Sequence, residues 1–318
     1  MFALVVLAVA LGLTGVAGRG NGGAADRPDR ADRAGPDAAT PGAGAATAGT
    51  VPSDRAATES QLGRWHLVDH QSEFGFAADQ GVATSETPTG SVVSYRGGAS
   101  ITVQQRAEGW IHIGDHDIFG GTAFDAYQGA AGAASKMFLA TTPGGASYEY
   151  IHPLDQGELF NNSFAAIAPG GQWLVAGEWE TMTRLVVFPT PGVNRSTSPT
   201  GGSLSRAGDI RLDHPVRDIQ GCDFVSATRL VCASNDAGAD LFPTARQLLQ
   251  VDLPAPLAGL ATTGHVTDLG PLPQASNCQG TFEAQGIDFD PGSGILRIMV
   301  IPPPPCDAVT TVYLYRAT

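Results

Sequence analysis

From Leu62 to Thr318 the chain is a succession of short apolar runs, cut by clusters of Gly, Pro, Asn and Asp. No apolar set recurs at helical spacing over any long stretch. Runs of roughly four to eight residues, rich in β-branched and aromatic side chains, are what half-buried strands require. "RWHLVDH", "SVVSYRG", "ASITVQQ", "WIHIGDH", "TAFDAYQG", "SKMFLATT", "ASYEYIH", "SFAAIA", "QWLVAGEW" and "RLVVFPT" are such runs, and "GCDFVS", "TRLVCAS", "QLLQVDL", "HVTDLG", "AQGIDFD", "GILRIMVI" and "TVYLYRA" continue the series. Many short strands with polar turns and no helix between them restrict the fold to an all-β sandwich, barrel or propeller.

Internal repetition chooses among these. "FAAIAPGGQWLVAGEW" (164–179), "CDFVSATRLVCAS" (222–234) and "GIDFDPGSGILRIMV" (286–300) each read as strand, tight turn, strand. A third strand follows each copy, in "RLVVFP", "RQLLQVDL" and "TVYLYRA", and "WIHIGDHDIFGGTAFDAYQG" with "SKMFLATT" is a looser copy. "APGGQWLV" resembles the turn between the first two strands of TolB-like and WD40-like β-propeller blades, although Gly170 stands where those blades carry Asp. The resemblance covers about three blades and implies a β-propeller with a loop-built site at the mouth of a central channel. The last copy ends after three strands at Thr318, so an N-terminal strand, "RWHLVDH" or "ASITVQQ", is expected to complete it. Five blades are expected, because residues 62–106 hold enough strands for one of their own; four is the alternative.

The first sixty residues read differently. Residues 2–17, "FALVVLAVALGLTGVA", form an unbroken apolar run of signal-peptide length, with Gly15 and Ala17 as small residues at a cleavage site. Residues 1–18 are therefore expected to be a signal peptide, or an uncleaved N-terminal anchor. Residues 19–61 hold Ala, Gly, Pro, Asp, Arg and Thr with almost no large apolar side chain, the composition of a disordered spacer. The propeller domain then occupies 62–318. Export agrees with the cysteines: four, with no C-x-x-C, fit two disulfides. Cys222 and Cys232 are symmetric about the expected turn at Ala227, which places them opposite each other in a hairpin. Cys278 and Cys306 are symmetric about Gly292 and are expected to tie loops together.

A net charge of −13 excludes nucleic acid and anionic membrane surfaces as partners, except for membrane attachment through the N-terminal segment if it is retained. Two clusters carry potential chemistry. "HIGDHD" places His112, Asp115, His116 and Asp117 within six positions, a donor set that suits a divalent cation, the one cofactor the sequence allows. It is not an EF-hand: Phe119 and Ala126 occupy positions that need ligands. The bland reading is a polar strand exit with aspartates capping turn N–H groups. Glu178, Trp179 and Glu180 offer carboxylates beside a stacking aromatic, as in a glycan-binding groove, but two residues apart on one strand they cannot straddle a glycosidic bond. Asp288 and Asp290 read as turn residues. No G-x-S-x-G, HExxH or P-loop is present. Three functions fit: an exported binding or scaffold domain for a glycan, peptide or envelope protein; a cation-assisted hydrolase using 112–117; or a membrane-tethered structural domain. The balance favours binding over catalysis, outside the cell or at its envelope.

Overall fold

The structure is a computed structural model in which residues 61–318 are described. The expected leader or anchor (1–18) and all but the last residue of the expected spacer (19–61) lie outside the described residues. The chain opens with β1 (Gln61–Leu62), β2 (Trp65–Phe74) and the hairpin β3 (Gly81–Thr87) and β4 (Gly90–Arg96). A short helix α1 (Val103–Ala107) leads into β5 (Trp110–Ile113), β6 (Asp117–Phe119), β7 (Thr122–Gly129), β8 (Ser135–Thr141) and β9 (Ser147–Pro153). Next come β10 (Ala166–Ile167), β11 (Trp173–Ala176), β12 (Thr181–Pro189), β13 (Gly202–Ser203) and β14 (Gly208–Arg217). β15 (Ile219–Ser226), β16 (Arg229–Ser234), β17 (Gln247–Asp252) and β18 (Thr262–Pro271) follow. β19 (Glu283–Asp290), β20 (Ile295–Ile301) and β21 (Val309–Ala317) end the chain.

These strands form antiparallel meanders: β15 to β18; β10, β11, β12 and β14; β7 to β9 with β5 and β6 along the edge of β7 and β13 on β9; and β19 to β21 completed by β2. Their innermost strands pack side by side: β3 against β19 and β6, β6 against β10, β10 against β15, and β15 against β19. The ring closes on itself, and the architecture is a propeller-like β fold. Closure is made by strand pairing: β2 pairs with β21 from Trp65↔Ala317 to Phe74↔Val309 and so joins the two ends of the described chain. "RWHLVDH" is thus the closing strand.

Because each meander has neighbours on both faces, its strands bury both faces, which is why they read as apolar runs rather than strict alternations. Apolar clusters fill most junctions. Phe164, Val175 and Leu185 pack on Ile219, Leu230 and Leu249; Phe124 and Phe138 pack on Leu174 and Phe188; Val231 and Leu248 pack on Leu296 and Tyr315. Val82 of β3 meets Met299 and Val312. The junction between the β3–β4 hairpin and β7–β9 differs: there Ile101 and Trp110 cover Tyr127 and Met137, and no residue of β4 joins the cluster.

In the "APGGQW" turn, Gly170 (φ +93°) and Gly171 (φ +73°) both adopt left-handed conformations, so glycine meets the need of the backbone here. "ASITVQQ" is not a strand. Thr102 caps α1 by accepting the Gln105 N–H at 3.2 Å, while the Gln105 side chain accepts the Thr102 N–H at 2.8 Å, and this capping box overrides the β-branched composition. Cys222 bonds to Cys232 directly across the β15–β16 register, with Cα atoms 4.0 Å apart. Cys278 bonds to Cys306 and ties the loop before β19 to the loop before β21, with Cα atoms 6.0 Å apart.

Candidate functional site

The residues of "HIGDHD" come to the axis of the ring, where their carboxylates meet backbone rather than open space. Asp115 is 1 % exposed and accepts the N–H of Val82 in β3 and of Ile287 in β19, each at 2.9 Å, as well as its neighbour His116 N–H at 3.1 Å. Gly81, Gly221 and Gly286, from three different inner strands, close around this carboxylate so tightly that a Cβ on any of them would collide with it. Asp117 accepts the Ile167 N–H of β10 at 2.6 Å. Asp223 accepts the Phe289 N–H of β19 at 2.6 Å, and Asp288 accepts the Thr84 N–H of β3 at 2.9 Å. On β6, β15 and β19 the pattern repeats: Asp117, Asp223 and Asp288 each take a backbone donor from the next strand of the ring, while Asp115, between β5 and β6, ties β3 to β19. Asp288 is therefore a tie between strands and not a turn residue, whereas Asp290 does cap its turn through the N–H groups of Gly292 and Ser293.

Sequence carries a signal for this device that the strand-by-strand reading passes over. "QGVAT" (80–84), "QGCDF" (220–224) and "QGIDF" (285–289) are three copies of one inner-strand motif, with the glycine facing Asp115 and, in two copies, the aspartate two residues later. Burial drives the Asp115 carboxyl well above the usual range, against the opposing pull of the Ile287 and Val82 N–H groups. Burial likewise pushes Asp117 up to about 6 and Asp223 well above its ordinary value, and the mutual repulsion of these carboxylates adds to it. His116 is buried beside Ser94 Oγ, 2.8 Å from its Nε2, and burial followed by the nearby Arg96 charge holds its basicity well down. His112 stands on β5 opposite Gln128. His112, Asp115, His116 and Asp117 do not bring three ligand atoms together.

Among the described residues, the grouping of histidine and carboxylate atoms close enough to share an ion is His152, Asp155 and Glu158, all within 4.8 Å. Its acids are already neutralised. Lys136 Nζ lies 2.8 Å from Glu158 Oε1, with both side chains wholly buried, and Arg206 Nε lies 3.0 Å from Asp155. His152 Nδ1 faces the Leu204 carbonyl at 2.9 Å and Nε2 faces Glu158 Oε2 at 2.9 Å, so both ring nitrogens are already engaged. Burial pushes Glu158 upward, but the hydrogen bond from His152 and the Lys136 charge outweigh it and bring it down to about 2. Lys136, the lone lysine of the chain, is thereby a structural cation.

Glu178, Trp179 and Glu180 diverge. Glu178 is buried, takes Arg184 through both oxygens at 3.0 and 3.2 Å, and accepts the Leu159 N–H at 2.9 Å. Trp179 is half-buried, and Glu180 is exposed in a left-handed conformation (φ +62°) that its N–H bond to Asp218 stabilises. These residues do not form one groove.

Polar groups left open to solvent gather elsewhere, in a cleft of about 700 Å³ between α1 and the sheet β7–β9, at the junction that lacks a shared apolar cluster with β4. Arg96, at the end of β4, donates its Nε to Asp125 of β7. The Tyr127 hydroxyl donates to Gln105 at 3.2 Å. Glu108, just past α1, and Glu149 of β9 share a hydrogen bond, and burial followed by the Glu108 charge raises the Glu149 carboxyl above its usual range. Thr102, Gln104, Thr141 and Ser147 complete a hydrophilic rim. Beyond the neutral Arg96–Asp125 pair, the cleft holds two more carboxyl groups, one of which must carry the proton of their shared hydrogen bond. Sequence reading missed it because its members lie in segments that look like surface: a helix cap, a strand end and a polar hairpin.

The fold defines a propeller-like β protein. No family model matches the sequence, and no curated protein matches it. Loosely similar solved structures include a nidogen/laminin complex (TM-score 0.36, 11% identity, 76% of this chain and 71% of that one). An auxiliary nutrient binding protein from Bacteroides thetaiotaomicron (TM-score 0.32, 10% identity) aligns with 61% of this chain and 36% of its own. The Chaetomium thermophilum Nup170 N-terminal domain in complex with Nup53 (TM-score 0.34, 10% identity) aligns with 76% of this chain and 29% of its own. The chain thus spans about a third of the length of the latter two.

Proposed function

We propose that residues 62–318 form a five-bladed β-propeller that serves as a binding or scaffold domain of an exported protein. The ring β3, β6, β10, β15 and β19 supports five blades, with the β3–β4 hairpin as a blade of two strands. Two disulfides support an oxidising compartment, outside the cell or at its envelope. The observation that carries the binding reading is the cleft. Ligand sites of comparable volume are mostly apolar with a few polar anchors. Here the wall is chiefly Arg96, Gln105, Glu108, Asp125 and Glu149, which suits a polar ligand: a peptide, a glycan or a loop of an envelope protein. The test is binding of the full chain to soluble glycan and peptide panels, repeated with Glu108→Gln/Glu149→Gln and with Trp179→Ala. A ligand weakened at least tenfold by the first variant and untouched by the second supports the cleft. The reverse pattern moves the site to the Glu178–Glu180 turn and refutes it.

A hydrolase built on a cation at residues 112–117 is the competing reading. It needs carboxylate oxygens that already accept backbone N–H groups, so the cleft is preferred.

A further inference from the structure

Most outer edges of the meanders are covered. The outer strands β14 and β18 pair with each other in parallel, Ile210 to Leu212 against Thr262 to Gly264, and β13 pairs in parallel with β9. The edge of β2 begins under β1. The hairpin β3–β4 is different: two strands make its whole sheet, and among the described residues no strand pairs with the outer side of β4. Its ladder runs without a register shift from Gly81↔Arg96 to Thr87↔Gly90, so no bulge twists the edge away. β4 itself, "GSVVSYR", has no proline and no lysine, and carries its one charge at the last position. Proteins ordinarily blunt such edges with those devices. Val92 is 55 % exposed on it.

That last position connects the edge to the cleft. Arg96 ends β4 and lines the cleft, so a strand laid along β4 has one end at the cleft mouth. The acidic pair there, Glu108 and Glu149, complements a positive side chain, whose charge would displace the proton they share. We propose that β4 is a docking edge for an extended peptide of a partner protein, which adds a strand to the two-stranded blade and places an arginine or lysine between Glu108 and Glu149. Strand addition supplies affinity through main-chain hydrogen bonds, and a pocket at one end supplies selectivity. This deepens the binding reading above and rests on it.

The probe is a blocked decapeptide of alternating valine and threonine with one arginine near an end. Its controls are a twin N-methylated at alternate amides and a twin with glutamate in place of arginine. Binding to the full chain is read by fluorescence anisotropy, and amide hydrogen exchange is read over residues 90–96. The arginine peptide is expected to bind and to slow exchange of alternate β4 amides, and each control to bind at least tenfold more weakly. Glu108→Gln/Glu149→Gln, with an unchanged melting temperature, is expected to erase the preference for arginine over glutamate. Binding that depends on Glu108 and Glu149 but leaves β4 exchange unaltered overturns strand addition while the cleft survives. No binding at millimolar peptide overturns the docking edge. Slow exchange of those amides in the full chain without peptide means residues 1–60 or a second copy already occupy the edge, and it overturns the partner proposal.

Discussion

The axial aspartates and Glu149 of the cleft are buried or half-buried carboxyl groups whose protons are held more tightly than usual, yet the two regions are built for different ends. At the axis, Asp115, Asp117, Asp223 and Asp288 each accept backbone N–H groups from neighbouring strands, and glycines close around Asp115. In the cleft, Glu108 and Glu149 share a hydrogen bond and Glu108 also accepts the Gln104 side-chain amide at 2.8 Å, and among the described residues no backbone donor from a neighbouring strand reaches either carboxyl. Perturbed acidity alone marks functional sites only statistically. What separates the two regions is whether the oxygens already have obligatory work. The axial aspartates add ties between inner strands that share only a few main-chain hydrogen bonds, such as Gly286 N–H to the Gln80 carbonyl and the Asp115–Phe164 bridge; the cleft acids have no such duty.

Breaking the axis is expected to give the largest effect. Asp115→Ala removes the acceptor of three backbone donors, and at about 1–3 kcal/mol for each buried donor left unpaired, stability is expected to fall by at least about 3 kcal/mol. Chemical denaturation of the full chain measures it. Gly221→Ala comes next: its Cβ would overlap Asp115 Oδ2, and overpacking of this kind costs about 1–3 kcal/mol. A loss under 0.5 kcal/mol, as for about any surface substitution, would show that the axis is loosely packed.

Smaller, but more diagnostic, is the pH response. A carboxyl raised in the folded state stabilises fully below its unfolded value, and that stability is lost as pH rises through the folded value, here about 6 for Asp117. Glu158 acts in the opposite sense, being held down to about 2, so its stability is present above the ordinary glutamate range and lost on acidification. Thermal melts are therefore expected to peak near about pH 5 and to fall by pH 8, and Asp117→Asn to flatten the alkaline side. A melting temperature that rises steadily from pH 5 to 8 would remove the ring of raised aspartates. Smallest of all is the effect of Glu108→Gln/Glu149→Gln on stability, expected within about 0.5 kcal/mol, since glutamine keeps the shape and can still hydrogen-bond at an exposed and a half-buried position. A larger loss would make the cleft acids structural and erase the contrast.

Much of this architecture was legible in the sequence. Apolar runs of strand length, the repeated strand–turn–strand plan and the symmetric cysteines lead to an all-β fold, to closure by an N-terminal strand, either "RWHLVDH" or "ASITVQQ", and to Cys222 facing Cys232. β3 ("GVATSET") and β14 ("GDIRLDHPVR") escaped notice because they are polar. β3 packs through Val82 alone into an apolar cluster, and β14 shares charged partners with β12. "ASITVQQ" misled because its composition suits a strand, whereas the Thr102–Gln105 cap, a pairing spaced by three, makes a helix. "HIGDHD" stands out by its dense polar residues, but a sequence does not show whether a carboxylate meets an ion or a backbone donor from a strand 172 residues away, as Asp115 meets Ile287. The cleft depends on what the two-stranded blade leaves uncovered, a property of topology with no local motif.

The most direct test of the contrast is the melting temperature of the full chain in EDTA, calcium and zinc, with Asp117→Asn alongside. A cation that binds only the folded protein raises the melting temperature with its concentration. With axial oxygens already engaged by backbone, neither ion is expected to shift it relative to EDTA, in the native chain or in the variant. A rise that grows with calcium or zinc and disappears in Asp117→Asn would contradict the account and make the axial aspartates ligands.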